Sequence, residues 1–286
     1  MYHGRRIFDV HTHIGKFGKW FLKGHEMEPF KNREIDSVES LRTFMKEKGI
    51  DYIIVMPHYT PDQKKPFVEY NPLVIECISK VENAYGGLWI SPREDVWHLS
   101  EKILDGELPP KIKVLKISPD SWPKGVSMDP GSWNETFRKN FEEIIDFARK
   151  HNLIIHSHTG SGNSDIMDYV PFVETYGKKV KLHFVHMGGS AGGHFAFIPR
   201  FIEWLKDGYD FYCDTSFCRG FAPYLLVRKL LEEYPKGLSR IMFASDNPWG
   251  LWESEFWRVE GMPVEDDVKE KIFYHNAAKV YLGERK

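Results

Sequence analysis

Eight short apolar runs punctuate this 286-residue chain, at Ile7–Val10, Tyr52–Met56, Gly87–Ile90, Val114–Ile117, Leu153–Ile155, Lys181–Val185, Phe211–Cys213 and Ile241–Ala244. Amphipathic, charge-rich stretches lie between them, at Asp36–Lys48, Asn71–Val81, Trp133–Lys150, Ile166–Tyr176, Ile198–Lys206, Ala222–Tyr234 and Asp266–Tyr281, with a weaker one at Val96–Leu104. The runs are too short for buried helices and suit strands; the longer stretches carry helical spacing. A helix between successive strands returns the chain to the same edge of the sheet, so the strands pair in parallel. Eight such units predict an α/β fold, the (β/α)8 TIM barrel. An open doubly wound sheet fits less well, because no glycine-rich turn follows the first run. No linker or shift in composition divides the sequence, so residues 1–286 are expected to form a single domain.

In a barrel of this kind chemistry sits where strands end, on the loops that follow them. The first run leads into "DVHTH", where His11 and His13 share a face because strand side chains alternate. With 13 histidines in the chain, chance supplies about 0.6 such pairs, so the pair alone is a weak motif. Position strengthens it. The fifth run ends "LIIHSHTG", the sixth "KLHFVHMGG" and the eighth "RIMFASDNPWG". Four of eight strand ends therefore offer a metal-competent or acid/base group: His11 and His13, His158, His186, and Asp246. His158, beside the turn at Thr159-Gly160, is expected to reach the mouth, with His156 one layer deeper as a hydrogen-bonded support. His183 lies three residues before His186 and is expected on the opposite face, against a helix. His3, His98 and His151 read as surface or core residues. His25 and His194 fall on loops within reach of a substrate, where a solvated surface is the simpler reading.

Composition narrows the partner. The formal charge is −2, with Lys and Arg scattered, which leaves no footprint for nucleic acid or an anionic membrane and favours a small-molecule substrate. Cys77, Cys213 and Cys218 are odd in number and lack a Cys-x-x-Cys pair, which argues against a disulfide framework and fits a reducing compartment. The start "MYHGRRIFDV" carries no signal-like apolar stretch. The longest window free of charged residues, Leu182–Pro199, holds three histidines and four glycines, unlike a bilayer span. A cytoplasmic protein is expected. One glutamine among many Lys and Glu gives a mild thermophile flavour.

Taken together, "DVHTH", "HTG", "HMGG" and "ASDNP", in this order over nearly the whole chain and followed by "YHNAAKVYLG", resemble the amidohydrolase superfamily. More specifically, they resemble the amidohydrolase-related family that includes aminocarboxymuconate-semialdehyde decarboxylase. The resemblance implies that His11, His13, His158 and Asp246 bind one divalent ion, most simply zinc, and that Asp246 and His186 are catalytic. Three neutral nitrogens leave the ion's charge largely uncompensated, so a bound water is acidified; Asp246 can then take its proton, and His186 can hold a developing oxyanion or pass a proton. Lys116 stands on the fourth strand, where dinuclear relatives carry a carboxylated lysine; the resembled family leaves that position unmodified, free to bind a substrate carboxylate or to serve the structure. Asp214, in "DTS", is expected either to support a histidine or to cap a helix.

Aromatics crowd the loops: Trp20 and Phe21 after the first strand, Trp122 after the fourth, and Trp249, Trp252 and Trp257 after the eighth. They suggest a substrate lid or a homo-oligomer interface. Lys16, Lys23 and Lys124 on these loops favour an anionic substrate. Metal-dependent hydrolysis of a small amide, lactone or ester is the leading expectation. Its alternative is non-oxidative decarboxylation of a small unsaturated or aromatic carboxylic acid. A barrel nuclease would want a glutamate where Lys116 stands and a basic groove, and a non-catalytic metal-binding barrel would leave His186 without a purpose.

Overall fold

The computed structural model describes residues 1–28, 30–58 and 66–284, without the side chains of residues 20–22. The lid or interface role expected of Trp20 and Phe21 therefore lies outside the described side chains. Eight parallel strands form the barrel wall: β1 (Phe8–Ile14), β2 (Tyr52–Pro57), β3 (Ala84–Trp89), β4 (Ile112–Ile117), β5 (Ile154–His158), β6 (Lys181–Val185), β7 (Phe211–Asp214) and β8 (Ile241–Met242), each paired with the next in chain order. The seam between last and first is closed by backbone bonds: Val10 N–H donates to the Phe243 carbonyl (3.1 Å), Asp246 N–H to His11 (2.8 Å) and His13 N–H to Asn247 (2.8 Å). The fold is the (β/α)8 barrel that the eight-run rhythm predicts.

Helices α1 (Val38–Glu47), α2 (Asn71–Lys80), α3 (Trp97–Asp105), α4 (Glu135–Lys150), α5 (Tyr169–Tyr176), α6 (Ala191–Lys206) and α7 (Phe221–Glu233) follow successive strands. α6 begins seven residues before the expected Ile198, because Ser190 accepts the N–H of Gly193 and caps it there. Two insertions carry no eight-unit signal: a small hairpin, Trp20–Leu22 with His25–Met27, and α8 (Trp252–Glu260). After α9 (Asp266–Glu270) the chain continues as a wide helix through Leu282.

Two apolar layers result. Strands and helices pack together through residues such as Leu41, Phe141, Phe184, Phe201 and Phe243. A second cluster fills the barrel itself: Phe8, Val10, Ile54, Met56, Val114, Ile154, Tyr212 and Met242, plugged by Tyr274, Ala277, Ala278 and Tyr281 of the closing helix. Among the described residues, no helix is long and apolar enough to cross a membrane. All three cysteines are buried and unbridged.

Candidate metal centre

β1 places its histidines by a bulge. The pairing with β2 runs Asp9 to Ile53 and then Thr12 to Val55, so one extra β1 residue is inserted. A bulge re-aims side chains, and here Val10, His11 and His13 all enter the barrel while Asp9 and Thr12 turn the other way. Asp9 fixes the bulge, accepting the Thr12 hydroxyl (2.7 Å) and the N–H groups of Ser245 (3.0 Å) and His11 (3.2 Å). It thereby ties β1 to the strand that delivers Asp246.

The three side chains meet at one point. His11 Nε2 and His13 Nε2 are 3.1 Å apart, and Asp246 Oδ1 lies 3.3 Å from the first and 3.4 Å from the second. His13 Nδ1 faces the Pro57 carbonyl at 3.3 Å. A carbonyl only accepts, so Nδ1 carries the proton and Nε2 aims its lone pair inward. Asp246 Oδ1 is buried and has no hydrogen-bond partner among the described residues. A histidine lone pair and a buried carboxylate oxygen that converge on the same point favour a cation between them. These three residues could hold a divalent ion; the mixed nitrogen and oxygen set suits zinc or manganese.

His158, at the end of β5, is not one of these three. Its Nε2 lies 3.1 Å from Asp120 Oδ2, while Asp120 Oδ1 accepts the Ser164 hydroxyl at 2.6 Å. Sequence reasoning passed over Asp120; its place three residues past β4, in "SPDSW", was the available signal. His158 does stand at the mouth, its ring 5.0 Å from that of His186.

His186 sits beyond β6, with Nε2 3.8 Å from Asp246 Oδ2 and Nδ1 against Ser216, 3.0 Å from Oγ and 3.1 Å from the carbonyl. Its backbone has φ +71°, and Met187, Phe217 and Asp246 share the left-handed region at +48°, +51° and +51°. Each such non-glycine residue costs about 1–3 kcal/mol, and clusters of them mark functional sites. The pair Gly188-Gly189 is required for close packing: a Cβ at Gly188 would stand 2.5 Å from the Gly193 carbonyl oxygen, and one at Gly189 2.5 Å from that of Thr159.

The kink at His186 corrects the reading of His183. β6 ends at Val185, so alternation does not extend to His186. His183 points into the barrel rather than at a helix: it is in register with His156, stacks on it at 4.1 Å, and its Nε2 meets Asp214 Oδ2 at 2.8 Å. His156 lies in the deeper layer, as expected, with Nε2 2.7 Å from the Tyr281 hydroxyl. Asp214 is thus a support for histidines rather than a helix cap. His194 is neither solvated nor at the cavity; it is buried in the first turn of α6, with Nδ1 2.7 Å from the Met187 carbonyl and Nε2 accepting Arg219 N–H at 3.1 Å.

A cavity of about 720 Å³ opens above the metal residues. Phe67, Trp89, Phe217 and Trp249 form apolar walls, and Lys116, Arg93, His158 and Asp120 supply polar points. Among the described residues its cations are Lys116 and Arg93, not the loop lysines Lys16, Lys23 and Lys124. Arg93 is tied to Asp95 and to the Ser121 carbonyl. Lys116 is 1% exposed, its Nζ has no hydrogen-bond partner among the described residues, and it stands 5.7 Å from the Trp89 ring. Burial lowers the pKa of its ammonium, with Asp246, Asp214 and Asp120 pulling the other way. Trp122 and Trp252 belong to no lid: both are buried, against Phe137 and Phe243 respectively. Trp257 is exposed.

Burial also holds histidines neutral, with His11 and His156 far below their usual range, His13 at about 3 and His186 at about 4. An unfolded histidine titrates near 6.5, so between those values the unfolded chain binds more protons and stability falls as pH drops. At pH 5 His13 and His186 each cost about 2 kcal/mol, and His11 and His156 act in the same sense. Asp9, raised to about 6 by burial, returns about 1.4 kcal/mol over the same range, and Asp246, also raised by burial, acts in the same sense. Metal-free protein should therefore lose several kcal/mol between about pH 7 and pH 5, read as a falling denaturant midpoint. A midpoint that does not move would mean that these rings carry charge in the folded state.

The amidohydrolase family profile matches residues 9–282, and the chain belongs to that family. No curated protein matches it in sequence. Among solved structures, 5-carboxyvanillate decarboxylase from Novosphingobium aromaticivorans, with bound manganese and 3-methoxy-4-hydroxy-5-nitrobenzoic acid, aligns with a TM-score of 0.65 at 16% identity, covering 98% of this chain and 97% of its own. 2,6-Dihydroxybenzoate decarboxylase from Rhizobium gives 0.62 at 14% identity, covering 97% and 99%. A probable 2-pyrone-4,6-dicarboxylic acid hydrolase from Acinetobacter baumannii, with citric acid bound, gives 0.60 at 11% identity, covering 96% and 99%. At these identities the likeness is one of fold.

Proposed function

We propose that this amidohydrolase is a metal-dependent, non-oxidative decarboxylase of a small aromatic or unsaturated carboxylic acid, with residues 1–286 acting as one catalytic domain. The observation that carries this reading is the buried Lys116 ammonium, without a hydrogen-bond partner among the described residues, facing an aromatic-walled cavity beside the three converging donors. A buried cation without a partner calls for an anionic one, and flat apolar walls call for a planar body. The neighbours named for decarboxylases act on benzoate derivatives, which favours this reaction over the hydrolysis that the sequence put first.

The ion would be held by His11, His13 and Asp246, completed by His158 once its Nε2 leaves Asp120. When bound, it would supply a positive charge that draws electron density from a coordinated substrate oxygen. Lys116 fixes a carboxylate, Trp89 and Phe217 bracket the ring, and the walls exclude water. As the carboxylate carbon leaves as carbon dioxide, the bonding pair stays on the ring carbon, which must gain a proton. Asp246, whose carboxyl burial pushes upward, and His186 stand where that proton is moved.

Lys116→Met should leave metal content unchanged and raise KM by about 10- to 100-fold, the worth of one charge-assisted contact; an unchanged KM would remove Lys116 from substrate binding. The hydrolytic reading remains second, because the same donors could activate water and the Acinetobacter protein shares the barrel. Metal-loaded protein assayed on hydroxybenzoates, carboxyvanillate and a pyrone dicarboxylate separates the two: carbon dioxide release supports the decarboxylase, and lactone opening without it supports the hydrolase.

A further inference from the structure

The hydrogen bonds around His186 fix which of its nitrogens carries the proton. Nδ1 faces two atoms of Ser216: the carbonyl oxygen at 3.1 Å and Oγ at 3.0 Å. The carbonyl can only accept. The hydroxyl could in principle donate, but its one proton is committed to Asp214 Oδ1 at 2.5 Å, a carboxylate that also takes Ser216 N–H at 3.0 Å. Asp214 is held in turn by His183 at 2.8 Å. All of these groups are buried.

We infer that Ser216 is a positioning residue which, oriented by Asp214, holds neutral His186 with its proton on Nδ1, so that Nε2 enters the cavity as a bare acceptor. Nε2 then faces Asp246 Oδ2 across 3.8 Å, two acceptors with a gap between them. The group that belongs there is a donor, such as a substrate hydroxyl or a water. In this state His186 takes a hydrogen bond or a proton and cannot give one until it has been charged. Holding a developing oxyanion, the role first considered for it, is thereby excluded for the neutral ring.

The inference rests on the proposed role of His186 beside the ion, but its test reads ring nitrogens and not turnover, so a wrong substrate assignment leaves it untouched. Histidine-selective 15N labelling with long-range 1H–15N correlation distinguishes the two neutral tautomers, and His186→Gln identifies the resonance by its loss. Metal-free and zinc-loaded protein should both show protonated Nδ1 at His186. Ser216→Ala, which leaves only the carbonyl, should raise the Nε2–H fraction several-fold, and Ser216→Thr should restore the original pattern. A dominant Nε2–H form in the unaltered protein would overturn the tautomer, and 15N shifts unmoved by Ser216→Ala would overturn the role of the hydroxyl.

Discussion

Replacing Asp246 by asparagine is expected to empty the metal centre and to lower activity by about 10³-fold or more. Asp246 is the one anion among the three converging donors. Its backbone, at φ +51°, is pinned by its N–H to the His11 carbonyl, and its Oδ1 has no hydrogen-bond partner among the described residues. Asparagine keeps that shape and hydrogen bond, and tolerates a left-handed backbone as well as aspartate does; only the charge is lost. Metal-free Asp246→Asn protein should melt close to the unaltered metal-free protein, since relief of a buried carboxylate is offset by the loss of its attraction for the buried Lys116 ammonium. Elemental analysis and thermal melting on one preparation check both halves. Full metal occupancy in the variant would place the ion elsewhere.

Loss of His186 should separate chemistry from metal retention. His186→Ala and His186→Asn are expected to keep the ion and the fold while turnover falls by roughly 10²–10⁴, equivalent to about 2.7–5.4 kcal/mol of lost stabilisation. The reason is geometric: Nε2 lies 3.8 Å from Asp246 Oδ2, on the side away from the oxygen that meets His11 and His13. KM should move less than kcat, because the ring acts on a proton rather than on the carboxylate that Lys116 holds. Unchanged turnover with the ion in place would remove His186 from the mechanism, and loss of the ion would make it a ligand.

Much of this was legible in the sequence because the barrel and its strand ends follow rules of period and position. β6 runs from Lys181 to Val185, matching its apolar run residue for residue, and His11, His13 and Asp246 fall on one point because their strands are neighbours across the barrel seam. Where reading failed, local backbone departed from the period. The left-handed turn at His186 broke the alternation that had sent His183 outward. Asp120 offered only its place just past β4, while the roles of Ser216 and Lys116 depend on side-chain distances across loops far apart in sequence, which no spacing encodes. The aromatic loops misled for a related reason: Trp122 and Trp252 follow strands yet pack against helix and strand side chains under the surface.

The central claim is a single divalent ion at the meeting point of β1 and the chain after β8. Diffraction from crystals of protein purified without chelator, recorded on both sides of the zinc and manganese absorption edges, tests it most directly. One anomalous peak per chain, within about 2.0–2.3 Å of His11 Nε2, His13 Nε2 and an Asp246 oxygen, is the predicted result. No peak there, or a second peak bridged through a carboxylated Lys116, would contradict it.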